Sequence, residues 1–86
     1  DIEKEIVRID RVCVDMARDP KFASMLIEVP SVQGVDTLGE ADVEVRVAGR
    51  SLPVQQWKVE RELRRRIAAE LRSTYAAIKV SGGVTA

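Results

Sequence analysis

Gln55 to Leu71, QQWKVERELRRRIAAEL, is the stretch on which the reading of the fold turns. Val59, Leu63, Ile67 and Leu71 recur every fourth residue, so a helix gathers them into one apolar stripe, with Trp57 and Ala68 on its flank. Lys58, Arg61, Arg65 and Arg72 fall on another face. Glu60–Arg64 and Glu62–Arg66 are i,i+4 pairs in the favourable acid-first order, each contributing a few tenths of a kcal/mol. Leu52-Pro53 opens the segment, and Ser51 is the expected N-cap, because proline is tolerated in a first helical turn. The result is a surface helix with one buried side.

Working outward to the N-terminus, Ile2, Ile6, Ile9, Cys13 and Met16 follow spacings of four, three, four and three, which predicts a helix over Asp1 to Arg18. Asp1 can cap it, and Glu3 and Glu5 suit the positive end of its dipole. Arg18-Asp19-Pro20 stops it, since the residue before proline is pushed out of the helical region. Cys13 lies on the buried stripe and reads as a small core hydrophobe rather than a reactive thiol. Val7 and Val14 lie off that stripe, one heptad apart, among Glu3, Asp10 and Arg18. They either cover a loop or meet another subunit, which makes them the candidate interface residues.

Between the helices the pattern becomes extended. Met25 to Val29 is an apolar run whose end Pro30 demotes to an edge or bend. Val32 to Leu38 forms a second extended piece, with Gly34 a bulge or a point of close approach. Gly39-Glu40-Ala41 supplies a turn. Val43, Val45 and Val47 then alternate with Glu44, Arg46 and Ala48, giving a strand over Asp42 to Arg50 and a hairpin with one buried face. Tyr75 to Val80 reads as a short last strand, and Gly-rich Ser81 to Ala86 as a flexible tail, leaving 1–80 as the folded domain. Two amphipathic helices and an antiparallel hairpin make an α+β two-layer sandwich with both helices on one sheet face. The expected core is Ile6, Ile9, Cys13, Val45, Leu63, Ile67 and Leu71.

Composition narrows the function. At 86 residues the chain holds one small domain. Basic and acidic residues balance at 14 each, so no net field favours nucleic acid or an anionic membrane. Histidine is absent, which removes the commonest general base and metal ligand. The single cysteine excludes an internal disulfide and a multi-cysteine zinc site. No apolar run approaches the roughly 18 residues that span a bilayer, and no signal peptide is visible. The chain is expected to be soluble and intracellular, and its start at Asp1 points to a piece cut from something longer.

The carboxylates sit on polar helix faces beside Arg or Lys and form no acid/base pair. Gly82-Gly83 precedes no helix that could hold an anion, and the serines have no histidine to activate them. The Arg-rich face reads as a solvated, salt-bridged surface rather than a phosphate-tracking stripe. Neither catalytic nor metal residues are expected, nor any cofactor. An interaction or assembly module fits better than an enzyme.

Five motifs in order carry a family resemblance. Trp57-x-Val59-x-Arg61-Glu62-Leu63-Arg64-Arg65-Arg66-Ile67 resembles the last helix of the cytoplasmic region of small-conductance mechanosensitive channels. Asp1 to Pro20 looks like the preceding helix with its D/N-P ending. Val32-x-x-Val35-x-x-Leu38-Gly39-Glu40-Ala41-Asp42-Val43 looks like the family's hairpin, and Val43-x-Val45-Arg46-Val47 like its outgoing strand. Ala77-Ile78-Lys79-Val80 stands where a G-I-x-I strand usually is. Two features depart from the pattern: Ala77 replaces a glycine, and Ser81-Gly82-Gly83 replaces a proline-rich tail.

The resemblance implies a ferredoxin-like domain lacking the first strand, which the family places before the first helix. It further implies a homo-oligomeric ring, heptameric in the full-length protein, on the cytoplasmic face of a bacterial or archaeal cell membrane. There the domain would help build a cage with side portals, in a channel that releases ions and small solutes on hypo-osmotic shock. No nucleic acid would be bound, and the membrane would be reached only through upstream segments. The other reading is a free-standing ferredoxin-like regulatory or protein-interaction domain with no membrane partner. In a ferredoxin-like sheet the first strand lies between the last strand and the hairpin. Its absence leaves a gap that either the C-terminal strand or a second copy is expected to fill.

Overall fold

The computed structural model describes residues 2–37, 42–72 and 77–86. Its first helix, α1, runs Ile2–Arg18, with Glu3 and Glu5 in the first turn, Arg18 in the last, and Ile9, Val12, Cys13 and Met16 buried. Asp19 ends it as expected: before Pro20 it turns extended, at φ −71° and ψ 119°, and its carboxylate accepts from the Lys21 N–H at 3.0 Å. That cap starts a single helical turn, α2 (Pro20–Ala23), which buries Phe22. The expected Asp1 cap and the Gly39-Glu40-Ala41 turn lie outside the described residues.

β1 (Leu26–Thr37) and β2 (Val43–Ser51) pair antiparallel, as the hairpin reading requires. β1 is one strand rather than two extended pieces, because it runs through Pro30 as the outer strand of the sheet, where a missing N–H is tolerated. Its three register irregularities, two of them flanking Pro30, absorb the mismatch. Gly49 opposite has no room for a side chain, since a Cβ there would stand 2.9 Å from Pro30. On β2, Val45, Val47, Gly49 and Ser51 are buried while Arg46, Ala48 and Arg50 are exposed.

Ser51 is not the cap of the next helix. It is the last residue of β2, fully buried, and its hydroxyl donates to the Leu52 carbonyl at 3.2 Å. The helix α3 begins only at Gln56 and ends at Glu70, with Gln55 in the cap position and no side-chain cap bond. Pro53 belongs to the preceding turn, which Val54 closes at φ +73°. The α3 stripe is buried as its spacing requires, with Val59, Leu63, Ile67 and Leu71 all 2% exposed or less.

The last strand differs most from expectation. β3 spans Ile78–Thr85, so Ser81 to Thr85 continue the sheet and the strand does not stop at Val80. It pairs parallel with β2, from Val43↔Ile78 to Arg50↔Thr85, giving a mixed sheet of order β1-β2-β3 in place of an antiparallel one. The reason is topological. A parallel pair needs a crossover connection, and α3 is one; with no strand between them, β3 lies directly beside β2. The gap is therefore closed from within the chain. One hydrophobic cluster joins α1, α2, α3 and the inner side of the sheet, so the fold is an α+β sandwich compatible with a ferredoxin-like domain lacking its first strand.

Candidate functional site

The described residues hold no group of three or more His, Cys, Asp or Glu side chains that could bind a metal. Cys13 is fully buried on α1, and burial, helped by the nearby Asp10 charge, pushes its thiol up to about 12. It is thus a protonated core residue at neutral pH. Of the other expected core residues, Ile9, Val45, Leu63, Ile67 and Leu71 are buried. Ile6 is not: it is half-buried and stands outside the buried cluster. Val12 takes part in its place, one residue off the expected stripe.

The charged groups form structural ties. Arg66 donates to Glu62 through Nε at 2.6 Å and to Asp19 through Nη2 at 2.7 Å, with its guanidinium 5.6 Å from the Phe22 ring centre. Arg65 adds two bonds to Glu62, and these bonds, then those of Arg66, hold the Glu62 carboxyl down to about 2. Asp19 is likewise held below the usual carboxylate range, first by the Lys21 N–H and then by Arg66. Arg8 links α1 to the end of α3 through the Glu70 carboxylate, at 3.1 Å from Nη2, and through the Glu70 carbonyl. Depressed carboxylates held by two arginines store no proton for catalysis near neutral pH; they stiffen the helix layer.

What the fold leaves available is surface. Val7 is 56% and Val14 39% exposed, and Val7 lies in a shallow groove with Glu3, Lys4, Arg8 and Arg11. A second apolar group surrounds the β2–α3 turn, where Leu52, Val54 and Trp57 are 45%, 77% and 64% exposed. Trp57 sits on the flank of the α3 stripe, and that position turns its ring outward. Ile27, Val29 and Val35 add exposed apolar positions on β1. Groups of apolar side chains left in water mark interaction surfaces more than catalytic ones.

Two charged residues reach the strand backbones, contacts to which the sequence pattern did not point. Asp10 on α1 accepts from the Val32 N–H of β1 at 2.9 Å. Arg64 on α3 donates to the Val80 and Gly82 carbonyls of β3 at 3.2 and 2.6 Å. The i,i+4 spacing pointed Arg64 at Glu60, which lies 3.8 Å away. Its nearer partners are 16 and 18 residues distant and left no local signal.

No family model and no solved structure matches the chain. Among curated proteins, the small-conductance mechanosensitive channel of Caldanaerobacter subterraneus subsp. tengcongensis is 30% identical over 67 residues, which is 78% of this chain. The chain spans 23% of the length of that relative.

Proposed function

The chain is related to the small-conductance mechanosensitive channel family, and from that premise we propose that it is an assembly domain in the cytoplasmic region of such a channel. The observation that carries this reading is the match over 67 residues, together with an α+β fold compatible with the ferredoxin-like domain that the family resemblance implied. In the proposed role the domain sits at the C-terminal end of the channel subunit, on the cytoplasmic face of the membrane. It contributes no gate, pore lining or catalytic group. Copies pack side by side as a homo-oligomeric ring, a heptamer by analogy with the family, and build a cage through which ions and small solutes pass when membrane tension opens the channel.

The exposed apolar positions on α1 and at the β2–α3 turn support an assembling role. None of the described helices is long and apolar enough to cross a membrane, so the reading assigns membrane contact to other parts of the intact protein.

The test uses the intact protein that carries this segment. Expressed in cells stripped of their own mechanosensitive channels, it should restore survival of hypo-osmotic downshock, and chemical cross-linking should trap a ring of copies. A protein that gives tension-independent patches, no rescue and no ring would sink the channel reading and leave the free-standing interaction domain in its place.

A further inference from the structure

β3 is the outer strand on one side of the sheet, and no described strand lies beyond it. Its backbone there is not bare. One guanidinium, that of Arg64, bridges the Val80 and Gly82 carbonyls at 3.2 and 2.6 Å. The Arg64 side chain is 41% exposed; its bond to Gly82 lies at the surface and its bond to Val80 is partly buried. Glu60, one turn earlier on α3, stands 3.8 Å from Arg64 Nη2. Its carboxylate oxygen occupies the space beside Gly83, where a Cβ would come within 1.6 Å. An acid–base pair on one helical turn thus covers Val80 to Gly83.

Outer strands with unpaired carbonyls and N–H groups template pairing with another chain, and folded proteins shield them with charge. Gly82 and Gly83 add to the hazard, because they carry no side chain to hold a second backbone away. We propose that Glu60 and Arg64 guard a strand-pairing edge, and that withdrawal of Arg64 opens β3 to the same strand of a second copy of this chain, antiparallel about a two-fold axis.

The partner follows from the strand itself. Ile78–Thr85 reads IKVSGGVT, with Lys79 its single charge. A two-fold axis through Ser81 sets Lys79 opposite Gly83 and Val80 opposite Gly82, so the strand meets its copy without a like-charge contact. The other edge of the sheet is a poorer template. β1 carries Pro30 and three register irregularities, its Glu28 and Asp36 are charged, and its Val32 N–H is already held by Asp10. This inference concerns β3 alone and stands whether or not the channel reading does.

The experiment is sedimentation velocity over a range of concentrations on the 86-residue chain and its Arg64→Ala, Arg64→Gln and Arg64→Lys variants, with amide exchange read at Val80 and Gly82. Losing two charge-assisted bonds should tighten self-association by roughly tenfold or more in Arg64→Ala and Arg64→Gln. In the associated form the Val80 and Gly82 amides should exchange more slowly, and Arg64→Lys should stay close to the parent. Arg64→Gln keeps most of the side chain packing, so it carries the test if Arg64→Ala loses its circular dichroism signal. Folded variants that associate no more than the parent overturn the proposal. So does association that leaves the β3 amides exchanging as before.

Discussion

Arg66 Nη2 stands 2.7 Å from Asp19 Oδ2, and the same guanidinium holds Glu62 through Nε at 2.6 Å. One side chain, 24% exposed, thereby ties α3 to the junction of α1 and α2 and roofs the Phe22 ring. The tie sets an acid limit on stability. Glu62 is held down to about 2 and Asp19 below its ordinary value, so each carboxylate binds its proton more weakly in the folded chain than in the unfolded one. The stability they contribute is complete above the unfolded carboxylate range, near 4.5 for Glu62, and is lost as pH falls toward about 2. Urea titrations at stepped pH should show that decline in the parent and a flatter one in Arg66→Ala. At neutral pH the same variant should lose about 1 kcal/mol, a partly exposed network being weaker than a buried one.

Ile67 is 1% exposed at the middle of the α3 stripe, whereas Ile6 is half-buried outside the cluster. Ile67→Ala should cost about 2–5 kcal/mol, a large part of the stability of a small domain. Ile6→Ala should cost about 1 kcal/mol, since fewer of its atoms leave water on folding. Denaturant titration of both variants checks the order, and equal losses would put Ile6 back in the core.

Cys13 offers a probe that needs no substitution. Its thiol is buried and pushed up to about 12, so a thiol reagent must wait for the helix layer to open. Modification of the native chain should be slower than that of the urea-unfolded chain by orders of magnitude, following the opening equilibrium. Similar rates in the two states would place Cys13 at the surface.

Val54 holds φ +73° and is 77% exposed. A β-branched residue in the left-handed region is strained by about 1–2 kcal/mol, and its exposure means that little packing offsets the strain. Glycine adopts that backbone freely but loses more freedom on folding, about 0.5–1 kcal/mol. The two effects leave Val54→Gly more stable by up to about 1.5 kcal/mol. A thermal melt checks the sign; a drop in Tm would mean that Val54 is held by contacts its exposure does not reveal.

The helices and β2 were legible because burial repeats in sequence: every fourth residue from Val59 to Leu71, every second from Val43 to Val47. Where local preference and tertiary pairing disagreed, the sequence pattern misled. Ser51 carries the side chain of a helix cap, but the β2 register runs through it and turns it inward. Gly82 and Gly83 read as a frayed tail, yet pairing with Val47 and Ala48 holds them in β3. The Gly82 conformation, φ +78°, is one that a side chain would strain. Pro30 looked like the end of a strand, but its outer position and flanking irregularities let β1 continue. Of the surface, Val7 and Val14 were found because they break the stripe of α1. Arg64 was paired with Glu60 because i,i+4 neighbours are visible in a sequence and strand carbonyls are not.

Val7 and Val14 are the direct test of the assembly reading. Both are exposed on α1, seven residues apart and so on one side of the helix, and Val7 is ringed by Glu3, Lys4, Arg8 and Arg11. An apolar pair bordered by charge suits a contact between copies, with the valines dry at the centre and the charges wet at the rim. Changing both to Asp would place two carboxylates where a neighbour must exclude water, and an unpaired buried carboxylate is costly. In the isolated domain the double variant should change stability by no more than about 0.5 kcal/mol, because both positions are already solvated. In the intact protein it should reduce the yield of cross-linked rings and the survival of osmotic downshock together. Normal ring size and normal survival with the double variant would remove this face of α1 from the interface and leave the Leu52, Val54 and Trp57 group as the next surface to test.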